Sequence, residues 1–254
     1  MMPVLAPIFR GEWEPYGAAL RCASPPPSAV PLADLIARPQ LLREALSAHA
    51  RHCGSDALRP VASAWSRSYL EALLPPVVVA ATLLRHRFEL APERLSVALD
   101  ATGAVQRFYL PDQGRPHGGA EFTLRYQQLL EMHLAPLFGA LTRLSGVPMK
   151  ILWGNAARYI DSVLSHAAPL EPRLGQPGLA ASDRHALLDS PQHADGRINP
   201  LYTRPRRATL TANGATVTHT LHRQCCLVYL LPGREYCECC PLDRRYRVIR
   251  AAPG

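Results

Sequence analysis

Four cysteines constrain this chain more than any other feature. They lie in RQCCLVYLLPGREYCECCPL as C-C-x10-C-x2-C, namely Cys225, Cys226, Cys237 and Cys240. Four gathered thiolates hold an iron–sulfur cluster or a structural zinc, so the fold has to bring both halves of the set together. Zinc knuckles normally draw both halves from C-x2-4-C, and the adjacent pair moves the reading toward redox chemistry. Cys237 and Cys240 can wrap one metal from a tight turn, and Pro241 stops the chain directly after it. Neighbouring side chains tend to diverge, so Cys225 and Cys226 would impose a distorted site. Iron–sulfur ligation is the first reading, zinc the second, and a vicinal or catalytic disulfide the third.

Cys239 is a surplus thiol, read as a small residue in a tight loop and as an alternative metal ligand to Cys240. His219 and His222 precede the set, and imidazole replaces thiolate in Rieske-type centres. With four cysteines available, they are read as solvent-facing or as donors to the ligands.

Seven cysteines in 254 residues do not form the even framework of a small secreted domain. The start, MMPVLAPIFRGEWEPYG, lacks a basic region followed by an apolar run, and Pro75–Leu84 is about half of a membrane-spanning length. The expectation is a cytoplasmic protein in a reducing compartment. The net charge of +8 is carried almost wholly by arginine, with Lys150 the only lysine. Such a bias is compositional, and no nucleic-acid partner is expected from it. Peripheral contact with the inner face of the cytoplasmic membrane is compatible with the charge.

The chain reads as α+β, a mainly helical body with antiparallel β-hairpins and a small C-terminal cluster segment. Residues 1–30 look irregular, 31–200 form the body, and 201–254 carry the cysteines. Within the body, Pro39 starts a new helix or turn, Val61–Leu74 forms a helix ended by Pro75-Pro76, and Val77–Arg87 is a short buried helix. Leu95–Leu99 and Val105–Leu110 flank turn residues Asp100–Gly103 as a hairpin. Glu121–Leu144 is one long amphipathic helix kinked at Pro136. Residues 167–200 read as a linker or mobile loop with a helical patch at Arg184–Leu188. A second hairpin spans 207–221 about Asn213-Gly214.

The cysteine spacing, with Trp65-Ser66-Arg67-Ser68-Tyr69 and Ile151-Leu152-Trp153-Gly154-Asn155-Ala156-Ala157, resembles the FhuF-type ferric-siderophore reductase family. The resemblance runs from about residue 60 to 243, and the cysteine motif is its specific part. It implies a [2Fe–2S] cluster held by Cys225, Cys226, Cys237 and Cys240, and an enzyme that passes one electron to a ferric siderophore, of hydroxamate type among others. A ferredoxin- or flavodoxin-like donor is the implied partner. The Cys239 that makes the end C-x-C-C departs from the family pattern. Trp153 and Asn155 are candidates for siderophore contact or for the cluster environment, beside a plainer reading in which Asn155 caps a helix and Trp153 packs before it. Trp65 and Tyr69 read as core. Other functions open to such a chain are a zinc-stapled binding module and an iron–sulfur redox sensor.

Overall fold

The computed structural model describes residues 1–118, 122–175, 177–193, 195–202, 204, 206–212 and 215–246. Its elements run α1 (Glu14–Ala18), β1 (Leu20–Cys22), β2 (Val30–Pro31), α2 (Leu32–Ala37), α3 (Pro39–Cys53) and α4 (Leu58–Leu83). Then come β3 (His86–Arg87), β4 (Ser96–Leu99), β5 (Val105–Leu110), β6 (Arg115–Pro116), α5 (Phe122–Gln127), α6 (Ala135–Ser145) and α7 (Met149–Ala167). Last are α8 (Leu179–Arg184), β7 (Arg206–Ala212) and β8 (Ala215–Leu221). The result is an α+β fold with a helical body. No described helix is long and apolar enough to cross a membrane.

The core is organised on α4. It is buried along most of its length and packs most extensively on α7, then on α3, β3, α1 and β5. In α7 the apolar residues Leu152, Ala156, Ile160, Val163, Leu164 and Ala167 recur at helical spacing and face this core. α3 ends at Gly54, whose φ of 63° lets the amides of Gly54 and Ser55 turn back onto the last carbonyls.

Pro75-Pro76 do not break the helix, contrary to expectation: α4 runs through both to Leu83. Two prolines leave the carbonyls of residues 71 and 72 without their intrahelical donors. Glu71 is exposed and Ala72 half-buried, so water can satisfy both groups, while the proline rings are buried against neighbouring elements. The long helix after residue 121 also differs. It is α5, then a π-helical stretch at Gln128–Leu134, then α6, so the irregular ladder precedes Pro136.

Residues 1–30 are only in part irregular. They carry two 3-10 turns, α1 and β1, and they bury Met2, Leu5, Phe9 and Leu20 in the main core. Elements of three to five residues are too short to show a period. β1 pairs parallel with β5 in a four-stranded sheet of order β1-β5-β4-β2, and the expected β4–β5 hairpin is antiparallel with Val97 opposite Phe108. Trp65 and Tyr69 are core, as read. The Trp65 indole N–H donates to the Gly103 carbonyl at 2.7 Å, and Tyr69 packs edge-on to Phe108 at 5.1 Å.

The segment 167–200 is packed onto the body, not a free linker. Leu187 and Leu188 are fully buried, and Glu171 accepts amide hydrogens from Gly178 and Ala180 at the start of α8. Asp183, on α8, is held bidentately by Arg125 at 2.6 and 2.8 Å and also accepts from the Tyr126 hydroxyl. β7 and β8 pair in register from Arg206 opposite Leu221, and the Asn213-Gly214 turn lies outside the described residues.

Candidate metal centre

β8 delivers the chain to the cysteine segment at Leu221. Leu227 then adopts φ 61° and ψ 1°, a left-handed conformation uncommon for a bulky residue. This turn aims consecutive amides back at the thiols: Leu227 N–H donates to Cys225 Sγ at 3.4 Å, and Val228 N–H donates to Cys226. Successive N–H groups arranged in this way form an anion-binding nest, a device common at iron–sulfur sites.

The far half is a tight turn in which Cys240 N–H donates to the Cys237 carbonyl at 2.9 Å. Stacked Tyr229 and Tyr236 rings, 4.4 Å apart, close the excursion between the two halves, and the Tyr246 hydroxyl donates to the Glu238 carbonyl at 2.6 Å.

The four motif thiols meet as two pairs. Cys225 and Cys240 sulfurs stand 3.7 Å apart, and Cys226 is hydrogen-bonded to Cys237. All are free thiols; Cys225, Cys226 and Cys240 are buried. The hydrogen bond from Cys237, the Val228 amide and the charges of Arg158 and Arg67 pull the Cys226 thiol down to about 4. Cys237, the donor of that bond, is pushed up in turn. Burial pushes Cys225 up to about 12. Among the described residues, no three or more His, Cys, Asp or Glu side chains converge as a group suited to one metal ion.

The surplus Cys239 is half-buried, and its carbonyl accepts the His222 amide hydrogen at 2.8 Å. His222 is held down to about 4 by burial and by Arg158, and so stays neutral. His219 packs against the Tyr246 ring at 5.6 Å.

The two upstream motifs support this segment from below. Ser63 Oγ, on α4, donates to the Cys226 carbonyl at 2.7 Å. Asn155 Nδ2 donates to Ser63 Oγ and Ser66 Oγ, both at 3.0 Å. Asn155 is therefore not a helix cap: it lies inside α7, 1% exposed. Trp153 is also inside α7 and packs edge-on to Phe138 at 4.9 Å. Both candidates for siderophore contact are thus placed beneath the cysteine loop or in the core. Gly154 lets that loop seat, because a Cβ there would sit 2.6 Å from Gln224 Cβ. Arg158 Nη2 donates to the Gln224 carbonyl at 3.2 Å, and Arg67 Nη1 reaches Cys226 Sγ at 3.9 Å. Leu231 adds a small apolar contact with Ala50 and Val61.

Ser63, Arg67, Arg158, Gln224 and Leu227 were not singled out by the sequence as site residues. The one available signal was polar residues on otherwise apolar faces of α4 and α7. A cavity of about 640 Å3 opens beside the segment, lined by Arg158, His222 and Arg223 among others. A more apolar crevice lies farther along α7, between Trp13, Pro75 and His166.

The sequence pattern of the family described as ferric iron reductase FhuF-like transporter matches residues 63–217, more than half of the chain. The chain belongs to the FhuF-like family. The match takes in both upstream motifs but ends before the FhuF-like chain reaches Cys225, so the arrangement of the cysteines rests on the structure. A ferric siderophore reductase of Escherichia coli (strain K12) is 27% identical over 188 residues, covering 72% of this chain and 66% of its own length. Among solved structures, ATP-bound aerobactin synthetase IucA from a hypervirulent pathotype of Klebsiella pneumoniae superposes with a TM-score of 0.54 at 15% identity. That covers 69% of this chain and 37% of the synthetase. The synthetase likeness concerns the fold alone.

Proposed function

We propose that this FhuF-like chain is a ferric-siderophore reductase whose Cys225, Cys226, Cys237 and Cys240 hold a [2Fe–2S] cluster. The pairing of the thiols carries this reading. Two ligands on one tetrahedral metal with metal–sulfur bonds of about 2.3 Å stand about 3.8 Å apart, close to the Cys225–Cys240 separation of 3.7 Å. Two pairs suit two irons, each taking two thiolates, whereas a single zinc would need all four thiols around one point. Nest amides and Arg67 and Arg158 favour thiolate, the ligating form. When bound, a [2Fe–2S] group supplies single-electron chemistry that zinc does not.

In the reaction, siderophore-bound iron(III) gains one electron and becomes iron(II), which hard anionic oxygen donors hold far less tightly. The electron is supplied by a reduced ferredoxin- or flavodoxin-like carrier, itself oxidised by one electron. Exposed Arg234 and Arg244 suit an acidic carrier, while Arg245 is tied to Asp243 at 2.8 Å. Arg247 and Arg250 of the basic tail lie outside the described residues. The free thiols fit a cytoplasmic reaction, at the inner face of the membrane if the substrate is taken from an importer.

Chain purified anaerobically is expected to be red-brown, with about two iron and two acid-labile sulfide per polypeptide. It should be bleached by dithionite and recoloured by a ferric siderophore. Cys239→Ser should keep the iron, and Cys240→Ser should lose it. Stoichiometric zinc without sulfide, or the reverse order of the two variants, overturns the assignment.

A further inference from the structure

The cavity of about 640 Å3 beside the cysteine segment falls within the size range of small-molecule sites. Its walls come from α7, α8 and the β7–β8 hairpin, and they carry Arg158, Arg184, Arg207 and Arg223 against Asp161 and Asp189. The two carboxylates are already engaged: Arg184 reaches Asp161 at 2.7 Å and Asp189 at 3.0 Å, and Arg223 reaches Asp189 at 2.9 Å. Among the described residues no carboxylate pairs with Arg158 or Arg207, so the walls present net positive charge. Arg158 also ties the cavity to the thiols, since it holds the Gln224 carbonyl and its charge acts on Cys226 and Cys237. His222, another wall residue, donates its amide hydrogen to Cys239.

We infer that this cavity is the substrate site, and that it selects ferric chelates bearing carboxylates and a net negative charge over neutral ones. Three hydroxamates balance iron(III) to zero charge. Chelators that add carboxylates leave an anionic complex, and guanidinium forks grip carboxylates in two-point contacts. The inference rests on the reductase reading for its substrate class, but it concerns binding and is separable from electron transfer.

The experiment uses the anaerobically purified full chain and redox-inert gallium(III) complexes, one of a neutral trihydroxamate and one of a citrate-derived dihydroxamate. Calorimetry is expected to give at least about tenfold tighter binding of the anionic complex. The preference should shrink in about 0.5 M salt, where charge interactions are screened. It should also shrink in Arg207→Gln and further in Arg207→Glu. Arg207 is exposed on β7, so both variants should keep the parent melting temperature. Arg158 is left intact because it holds the cysteine loop. Equal affinities, no binding, or a preference that survives Arg207→Glu overturns the inference. Reoxidation of the dithionite-reduced chain is measured in parallel. If ferric chelates reoxidise it without any charge preference, the cavity assignment fails and the reductase stands. If none does so, the reductase reading fails.

Discussion

Gly154 shows how a single missing side chain serves the centre. In an exposed helix interior Gly→Ala gains about 1 kcal/mol. Here the new Cβ would meet Gln224 at 2.6 Å, so one wall must move, and the docked loop has less to hold it than α7 does. Gly154→Ala is therefore expected to leave the melting temperature of the body within a few degrees and to lower iron per chain by roughly half or more, since overpacking costs about 1–3 kcal/mol. Iron assay and a thermal melt on the same preparation check it. At this scale the cysteines were legible because their spacing is chemical information in itself. Ser63 and Arg67 were not, because their partner Cys226 lies 163 and 159 residues away along the chain. The cap reading of Asn155 fails for a related reason. A polar residue ahead of an apolar run has the look of a cap until its buried hydroxyl partners on another helix are known.

Helix α4 illustrates what a sequence period can and cannot say about an element. Its apolar face was plain on either side of Pro75-Pro76, but the continuity of the helix depends on which side the orphaned carbonyls face. The segment 167–200 misled similarly, since its proline, glycine and charge suggested a linker. What fixes it is one buried ion pair, Arg125 with Asp183, joined by the hydroxyls of Tyr126 and Thr82. Removing one partner leaves the other charge buried and uncompensated. Asp183→Ala is expected to cost about 3–5 kcal/mol in urea unfolding, and Asp183→Asn, which keeps hydrogen-bonding capacity, less. A loss under about 1 kcal/mol for Asp183→Ala would show that α8 is not anchored by this pair.

For the molecule as a whole, His133 sets an acid limit. It is fully buried; its Nδ1–H donates to the Leu90 carbonyl at 2.8 Å, so Nε2 accepts from the Tyr69 hydroxyl at 2.6 Å. Burial holds it down to about 4 in the fold, against 6.5 for the free side chain. Above pH 6.5 both states are neutral and no stability is lost. Between pH 6.5 and 4 the unfolded chain takes up the proton and the folded one does not, so stability falls with falling pH, by about 3 kcal/mol. Urea titrations at several pH values should show that slope, and His133→Gln should flatten it. The α+β class and the main helices were legible from periodicity. The parallel joining of β1 to β5 was not, because nothing local specifies a partner eighty-eight residues on.

Among the described residues, the main core is built from residues up to Leu201, and Leu227 of the cysteine segment packs against it. During synthesis the platform of α4 and α7 precedes the four motif cysteines in chain order. It can be complete before any of those four cysteines emerges. On the proposed reading, iron insertion would be a late, local event on a finished scaffold, and a chain stripped of its metal would keep the cradle needed to be refilled.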